Sequence, residues 1–323
     1  MLFGAFLYQI SIFKEKISNV ENTSYAGTLE QSSVQKGAIE EIQLLFVGDI
    51  MLSRLIGDIM VRNNDWRYPF LETADFLKSA DITFGNLEGP ISAKGTNMGS
   101  MYSFRADPRA IEGLLYAGFD VLSIANNHIW DYGAEAFKET LQILGDNGIR
   151  YIGGGYDYEE AHAPVVIDVK GTKIAFLAYT NVLPTSLGLK GSKPAVAFPD
   201  INEMTRDIEK AKKVADVIVV SFHWGTEYAT THTEEQETVA HAAIGAGANI
   251  IVGHHPHVVG EIEEYDGGYI AYSLGNFVFD QNFSEDTGRG LMFEVTLKNK
   301  EIQRIEPLTV TFNTSYQPIL IGR

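Results

Sequence analysis

The sequence predicts a layered α/β domain, and three observations carry that reading. Short aliphatic runs alternate with helix-length amphipathic segments from Glu41 onward. Six of those runs terminate in Asp, Asn, Glu or His. Apolar content of 45%, with 11% aromatic, is that of a globular core and excludes disorder for most of the chain.

In chain order, the first 13 residues (MLFGAFLYQISIF) are uncharged and largely apolar, and Lys14 and Lys16 follow. A spanning helix needs about 20 residues, so this stretch better fits the apolar part of an export signal. Ser24-Tyr25-Ala26 is a weak cleavage site, and 18–37 reads as a polar linker. Residues 1–40 are thus read as a signal or anchor remnant and 41–323 as the domain. The expected location is the cell envelope, outside the cytoplasm and tethered to the membrane.

Aliphatic runs predict strands at 44–47, 82–84, 121–124, 174–178, 217–222, 250–252 and 270–274. Helices are expected between them, at 68–79, 108–117, 134–147, 202–215 and 233–246. In the last, Glu234 and Glu235 suit the positive end of the helix dipole. Gly118, Gly148 and Gly247 stand where helix C-caps belong. Runs at 291–297 and 302–312, joined by Lys-Asn-Lys-Glu, predict a closing antiparallel hairpin. Gly153-Gly154-Gly155 lacks the Lys-Ser/Thr of a phosphate loop and reads as a flexible turn at a strand end.

A formal net charge of −17 opposes loose binding to nucleic acid or to an anionic membrane. An anionic substrate would need local cations, and Arg54 and Arg105 are candidates because arginine binds oxyacids bidentately. Cysteine is absent, so thiolate metal sites, disulfides and cysteine nucleophiles are excluded.

The chemistry concentrates where strands end. Three of the eight histidines fall within Gly253-His254-His255-Pro256-His257, after an aliphatic run. Extended-chain alternation would place His255 and His257 on one side and His254 on the other. The other strand ends offer Asp49, Asn86, Glu88, Asn127, His128 and His223. Ligands bind outside the carboxyl ends of strands in open α/β sheets. Mixed oxygen and imidazole donors without sulfur suit one or two divalent ions, Mn, Zn or Fe. His128 is the expected proton donor, with Asp131 three residues on to orient its ring. Trp224 and Glu227 beside His223, together with His254 and Asn276, are read as substrate-facing. Gly275-Asn276 could equally serve only to turn the chain. His162, His232 and His241 read as surface or helix residues.

Several motifs together resemble one family. They are Gly48-Asp49-Ile50-Met51-Leu52, Gly85-Asn86-Leu87-Glu88-Gly89-Pro90, Phe104-Arg105-Ala106 and Ala125-Asn126-Asn127-His128 with Asp131-Tyr132-Gly133. His223-Trp224-Gly225 with Glu227-Tyr228, the histidine cluster, and the run from Ser273 to Gln281 complete them. In this order, over roughly 42–283, the chain is similar to the capsule-synthesis CapA (PgsA-like) family of poly-γ-glutamate proteins. That family has a calcineurin-like metallophosphoesterase fold, which implies a four-layer α/β/β/α sandwich.

The resemblance implies metal ligation by Asp49, Glu88, Asn127, His223, His255 and His257, with His128 as the acid. It also implies a part in making, exporting or anchoring poly-γ-glutamate, an anionic polymer, alongside membrane synthase subunits. A non-catalytic accessory subunit, or a hydrolase of phosphoesters or γ-glutamyl amides, are the competing expectations. The Asp-x-His opening of the parent phosphoesterases is Asp49-Ile50-Met51 here, so one expected histidine is missing.

Overall fold

A computed structural model describes residues 40–321. The apolar segment and polar linker expected over 1–37 lie outside the described residues. Among the described residues no helix is long and apolar enough to cross a membrane.

The first half runs β1 (Ile42–Ile50), α1 (Arg54–Asn63), β2 (Ile82–Leu87), α2 (Ile111–Ala117), β3 (Val121–Ser123), α3 (Gly133–Asp146) and β4 (Arg150–Ile152). β5 (Gly154–Gly155), β6 (Val165–Val169), β7 (Thr172–Thr180) and β8 (Ala195–Val196) follow. Next come α4 (Ile201–Ala211), β9 (Val217–His223), α5 (Glu234–Ala246), β10 (Ile250–His254), β11 (Ile262–Tyr265) and β12 (Gly268–Ala271). The chain closes through β13 (Asn276–Val278), β14 (Arg289–Lys298), β15 (Glu301–Phe312) and β16 (Pro318–Leu320).

Two large sheets result. The first has the order β16-β15-β14-β1-β2-β3-β4, with β13 pairing the end of β1. The second has the order β11-β12-β10-β9-β7-β6. β1 to β4 are parallel, as are β7, β9, β10 and β12. Parallel neighbours need crossovers, which place helices over a sheet face.

Alternation along β7 shows the layering. Ile174, Phe176 and Ala178 join the core shared with the first sheet. Ala175, Leu177 and Tyr179 instead pack with Met204 and Ile208 of α4 and with Val239 and Ala240 of α5. Between the sheets, Phe84 stacks on Phe176 with centroids 6.2 Å apart and planes at 7°. Each such buried ring contributes about 2 kcal/mol. The other face of the first sheet is covered by α1, α2 and α3 through buried residues such as Ile56, Met60, Leu114 and Phe137. The order is helix, sheet, sheet, helix, the four layers expected.

Some elements differ from expectation. The helix expected over 68–79 breaks into a turn at Tyr68–Phe70 and a four-residue helix at Ala74–Leu77. Pro69, which has no amide hydrogen to donate, enters that turn, and Thr73 at φ −123° leaves helical geometry. Helix α1, unmarked by a strong apolar stripe, was not expected. The strand expected over 270–274 stops at Ala271; Gly275, at φ 68°, turns the chain into β13 of the other sheet. Gly154 and Gly155 are not a loose turn but pair with β8.

Candidate metal centre

The carboxyl ends of both sheets converge on Asp49. In the first sheet Asp49 lies in register with Asn86 on one side and Asn276 on the other. In the second, His223 of β9 is in register with His254 of β10. Glycines permit the close approach. A Cβ on Gly48 would stand 2.0 Å from the Gly275 carbonyl oxygen, and one on Gly253 1.9 Å from that of Tyr272.

Asp49 is fully buried and contacted from several directions. Oδ1 accepts from Asn86 Nδ2 at 2.9 Å and lies 3.2 Å from His254 Nδ1. Oδ2 accepts from the His255 amide at 3.3 Å and lies 3.2 Å from His257 Nδ1. The other edge of His257 reaches Glu88, with Nε2 3.6 Å from Oε1. Asn86 is itself anchored, its Oδ1 accepting from Asn126 Nδ2 at 3.1 Å. Its Nδ2 stands 3.3 Å from His223 Nδ1, while His223 Nε2 donates to Asn127 Oδ1 at 2.8 Å.

Electrostatics follow from this crowding. Burial would raise the Asp49 carboxyl, but the imidazoles of His254 and His257 outweigh it and hold it well below the usual carboxylate range. Burial pushes Glu88 well above its ordinary value. His223 is driven well below the usual imidazole value by burial and then by His255. Burial, with the charge of His257, takes His255 down to about 4. For His257, burial is overcome by Glu88 and Asp49, which raise it to about 9. At neutral pH the metal-free cluster thus keeps a proton on His257, while burial biases Glu88 towards its protonated form.

A cation could take the place of those protons. Asp49, Glu88 and His223 each offer a ligand atom within 4.8 Å of the others, and so do Glu227, His255 and His257. Glu88 Oε1 and His255 Nδ1 are buried with no hydrogen-bond partner. Unpaired buried acceptors of this kind are costly, so the donor set fits a divalent ion. Met51, where the parent pattern has histidine, is buried, and its Sδ accepts from the amide and hydroxyl of Ser53 at 3.2 and 3.1 Å.

His128 stands beside this cluster. Its Nδ1 is 2.7 Å from Asp131 Oδ2, its Nε2 is 3.9 Å from Glu88 Oε1, and Phe104 stacks on the ring at 3.8 Å. Asp131 also accepts from the Phe104 amide at 2.7 Å and from Ser100 Oγ at 3.1 Å. One carboxylate therefore holds both the imidazole and the loop that covers it.

Of the sequence-derived residues, Asp49, Glu88, Asn127, His128, Asp131, His223, His255 and His257 fall into this contiguous network. Glu227, expected to face substrate, stands among possible ligands. Arg54, 36% exposed, pairs with Asp280 at 2.9 Å. Other expectations need correction. Trp224 is buried, stacks on Phe222 at 4.3 Å and donates to the Tyr272 carbonyl; strand alternation turns it to the helix layer, away from His223. Asn276 is buried and supports His257, its Oδ1 lying 3.1 Å from Nδ1. Arg105 donates to the Lys94 carbonyl and lies over Tyr132 at 4.1 Å.

His254 is fully buried behind Asp49. Strand alternation does not extend past it, because His255 and His257 adopt φ of 96° and 58°. His254 and His257 consequently both face Asp49. His162 is no surface residue; it is buried with Nδ1 2.8 Å from Asp207. The anchoring parts of Asn126, Ser100 and Asp280 carried no sequence signal beyond proximity to a motif.

Comparison with known proteins bears on the family and the fold. Residues 43–281 match the family model described as "Bacterial capsule synthesis protein PGA_cap". The chain is 33% identical over 261 residues to "Capsule biosynthesis protein CapA" of Bacillus anthracis, covering 78% of this chain and 63% of that protein. It is 33% identical over 286 residues to "PGA biosynthesis protein CapA" of Bacillus subtilis, covering 87% of this chain and 74% of that one. A crystal structure of a hypothetical protein from Thermus thermophilus superposes with a TM-score of 0.55 at 18% identity, covering 83% of this chain and 98% of that one. The chain belongs to the bacterial capsule synthesis protein PGA_cap family.

Proposed function

We propose that this chain works in the synthesis, export or anchoring of poly-γ-glutamate at the cell envelope, through a metal-dependent centre of hydrolase type. The observation that carries the reading is the pair of adjoining ligand groups, Asp49-Glu88-His223 and Glu227-His255-His257. They would hold one or two ions of Mn, Zn or Fe. A bound divalent ion supplies Lewis-acid polarisation of a carbonyl or phosphoryl oxygen and lowers the pKa of water.

The remaining work falls to side chains of the protein. Asp131 fixes the His128 ring through Nδ1, leaving Nε2 to deliver a proton to a leaving nitrogen or oxygen. Phe104 covers one face of that imidazole and limits water there. Asn86, Asn127 and Asn276 hold imidazoles in register by amide contacts. Membrane synthase subunits would be the partners, and the substrate the anionic polymer or its activated precursor.

Met51 favours a second reading. With its thioether engaged by Ser53 in place of a ligating histidine, the chain could keep one ion and act as a non-catalytic accessory subunit. Metal analysis of purified protein with turnover assays on poly-γ-glutamate and a generic phosphodiester separates the two. Bound metal with turnover of either substrate supports catalysis; bound metal with neither leaves the accessory part.

A further inference from the structure

Two loops meet beside the metal centre, one leaving β9 and one leaving β10. Backbone bonds lock them together: the Trp224 amide donates to the His254 carbonyl at 3.2 Å, and the Tyr228 amide to the Pro256 carbonyl at 2.8 Å. Tyr228 adopts φ 66°, a left-handed conformation that a bulky side chain takes at a cost and that concentrates at functional sites. The strained backbone sets a phenol next to a candidate ligand. Its ring centre lies 6.3 Å from that of His257, and Phe283 meets it edge-on at 5.2 Å and 83°. Unlike the buried groups around Asp49, Tyr228 is 45% exposed, so a substrate can reach it.

A chain of amides runs from that ligand to the phenol. Asn276 Oδ1 stands 3.1 Å from His257 Nδ1, and Asn276 Nδ2 donates to Gln281 Oε1 at 3.3 Å. Gln281 Nε2 in turn donates to the Tyr228 hydroxyl oxygen at 3.5 Å. With its oxygen accepting from Gln281, the hydroxyl must send its hydrogen elsewhere. Burial and then the Glu227 carboxylate push this phenol above its ordinary value, so it remains a donor. Glu227 competes for the hydrogen, but a cation held with His255 and His257 would engage that carboxylate instead. Proton transfer through His128 makes no use of this hydroxyl.

We propose that the Tyr228 hydroxyl is an oxyanion donor, hydrogen-bonding an anionic oxygen of the substrate at the metal centre, with Gln281 as the positioning residue that aims it. The inference rests on the metal-dependent reading above and adds a residue to that site. Negative charge gathers on the oxygens of an attacked carbonyl or phosphoryl centre, and a donor fixed beforehand stabilises it without reorganisation. His128 would then serve the leaving group and Tyr228 an oxygen that stays.

The test titrates inorganic phosphate, a tetrahedral oxyanion, into the metal-loaded chain by calorimetry, with bound metal counted for each protein. Tyr228→Phe keeps the ring and removes only the hydroxyl. It should weaken phosphate binding by about ten-fold or more, the worth of one hydrogen bond to a charged group, at unchanged metal content. Gln281→Leu should weaken binding less, and adding it to Tyr228→Phe should cost nothing further, because there is then no hydroxyl left to aim. Undiminished phosphate affinity in Tyr228→Phe, or a loss of affinity matched by a loss of metal, overturns the donor. Losses that add in the double variant overturn the positioning part of Gln281. A wild type that takes up no metal removes the metal-dependent reading, and the same comparison on the metal-free chain then decides the hydroxyl separately.

Discussion

Asp49 is the residue on which the others depend, because two imidazoles, the Asn86 carboxamide and the His255 backbone amide crowd its carboxylate without solvent. Two predictions belong at this scale. Replacing His128 by Gln should lower turnover about 100-fold while bound metal is retained, since a lost proton donor costs that much; equal turnover would remove His128 from the chemistry. The second concerns pH. His257 titrates at about 9 when folded, above the ordinary imidazole value, so its stabilisation is complete below about pH 6.5. It is lost as pH rises through 9, and raised Glu88 acts in the same direction. Metal-free protein should lose at most about 3 kcal/mol through His257 over that window. Metal-loaded protein should not, because the ion replaces the proton; melting curves at pH 6.5 and 9, with and without metal, check this. Asp49 and His257 were legible in the sequence because polar residues ending aliphatic runs are rare without cause. The orientation of His254 was not, because it hangs on left-handed backbone at His255 and His257, which no side-chain pattern announces.

Among the elements, β1 has the tightest constraint. A Cβ at Gly48 would stand 2.0 Å from the Gly275 carbonyl oxygen, a backbone atom that cannot swing aside. Gly48→Ala should therefore push β13 off β1 and part Asp49 from Asn276, at a cost of about 3 kcal/mol. The expected outcome is a lowered denaturation midpoint together with weaker metal retention. A midpoint equal to wild type would mean that the strands separate without strain. The strand–helix alternation was readable in advance because its periodicity follows from burial on two faces. Helix α1 escaped because only Ile56 and Met60 of its ten residues are buried, which leaves a narrow apolar stripe. The switch of the chain from β12 to β13 escaped as well. Gly275 and Asn276 look like an ordinary turn unless the second sheet is known to lie alongside.

For the whole molecule, the decisive feature is that the donors come from different sheets. Asp49 and Glu88 belong to strand ends of the first, while His223, His255 and His257 belong to those of the second. The sheets already share a core through contacts such as Phe84 with Phe176. An ion between their carboxyl edges would add a second clamp at the end where like charges otherwise oppose one another. Ligation of the folded state alone stabilises by mass action, about 4 kcal/mol when free metal is a thousand times its dissociation constant. For a domain of this size that corresponds to a rise of about 10 °C in melting temperature. Chelation should remove the rise from the wild type, and readdition of Mn or Zn should restore it. The His255→Ala, His257→Ala double variant should melt at the same temperature with and without chelator. A wild type that binds metal yet melts unchanged after chelation would place its ions on the outer surface. The two sheets would then be joined by their apolar core alone, and Asp49 would be a buried ion-pair partner rather than a ligand.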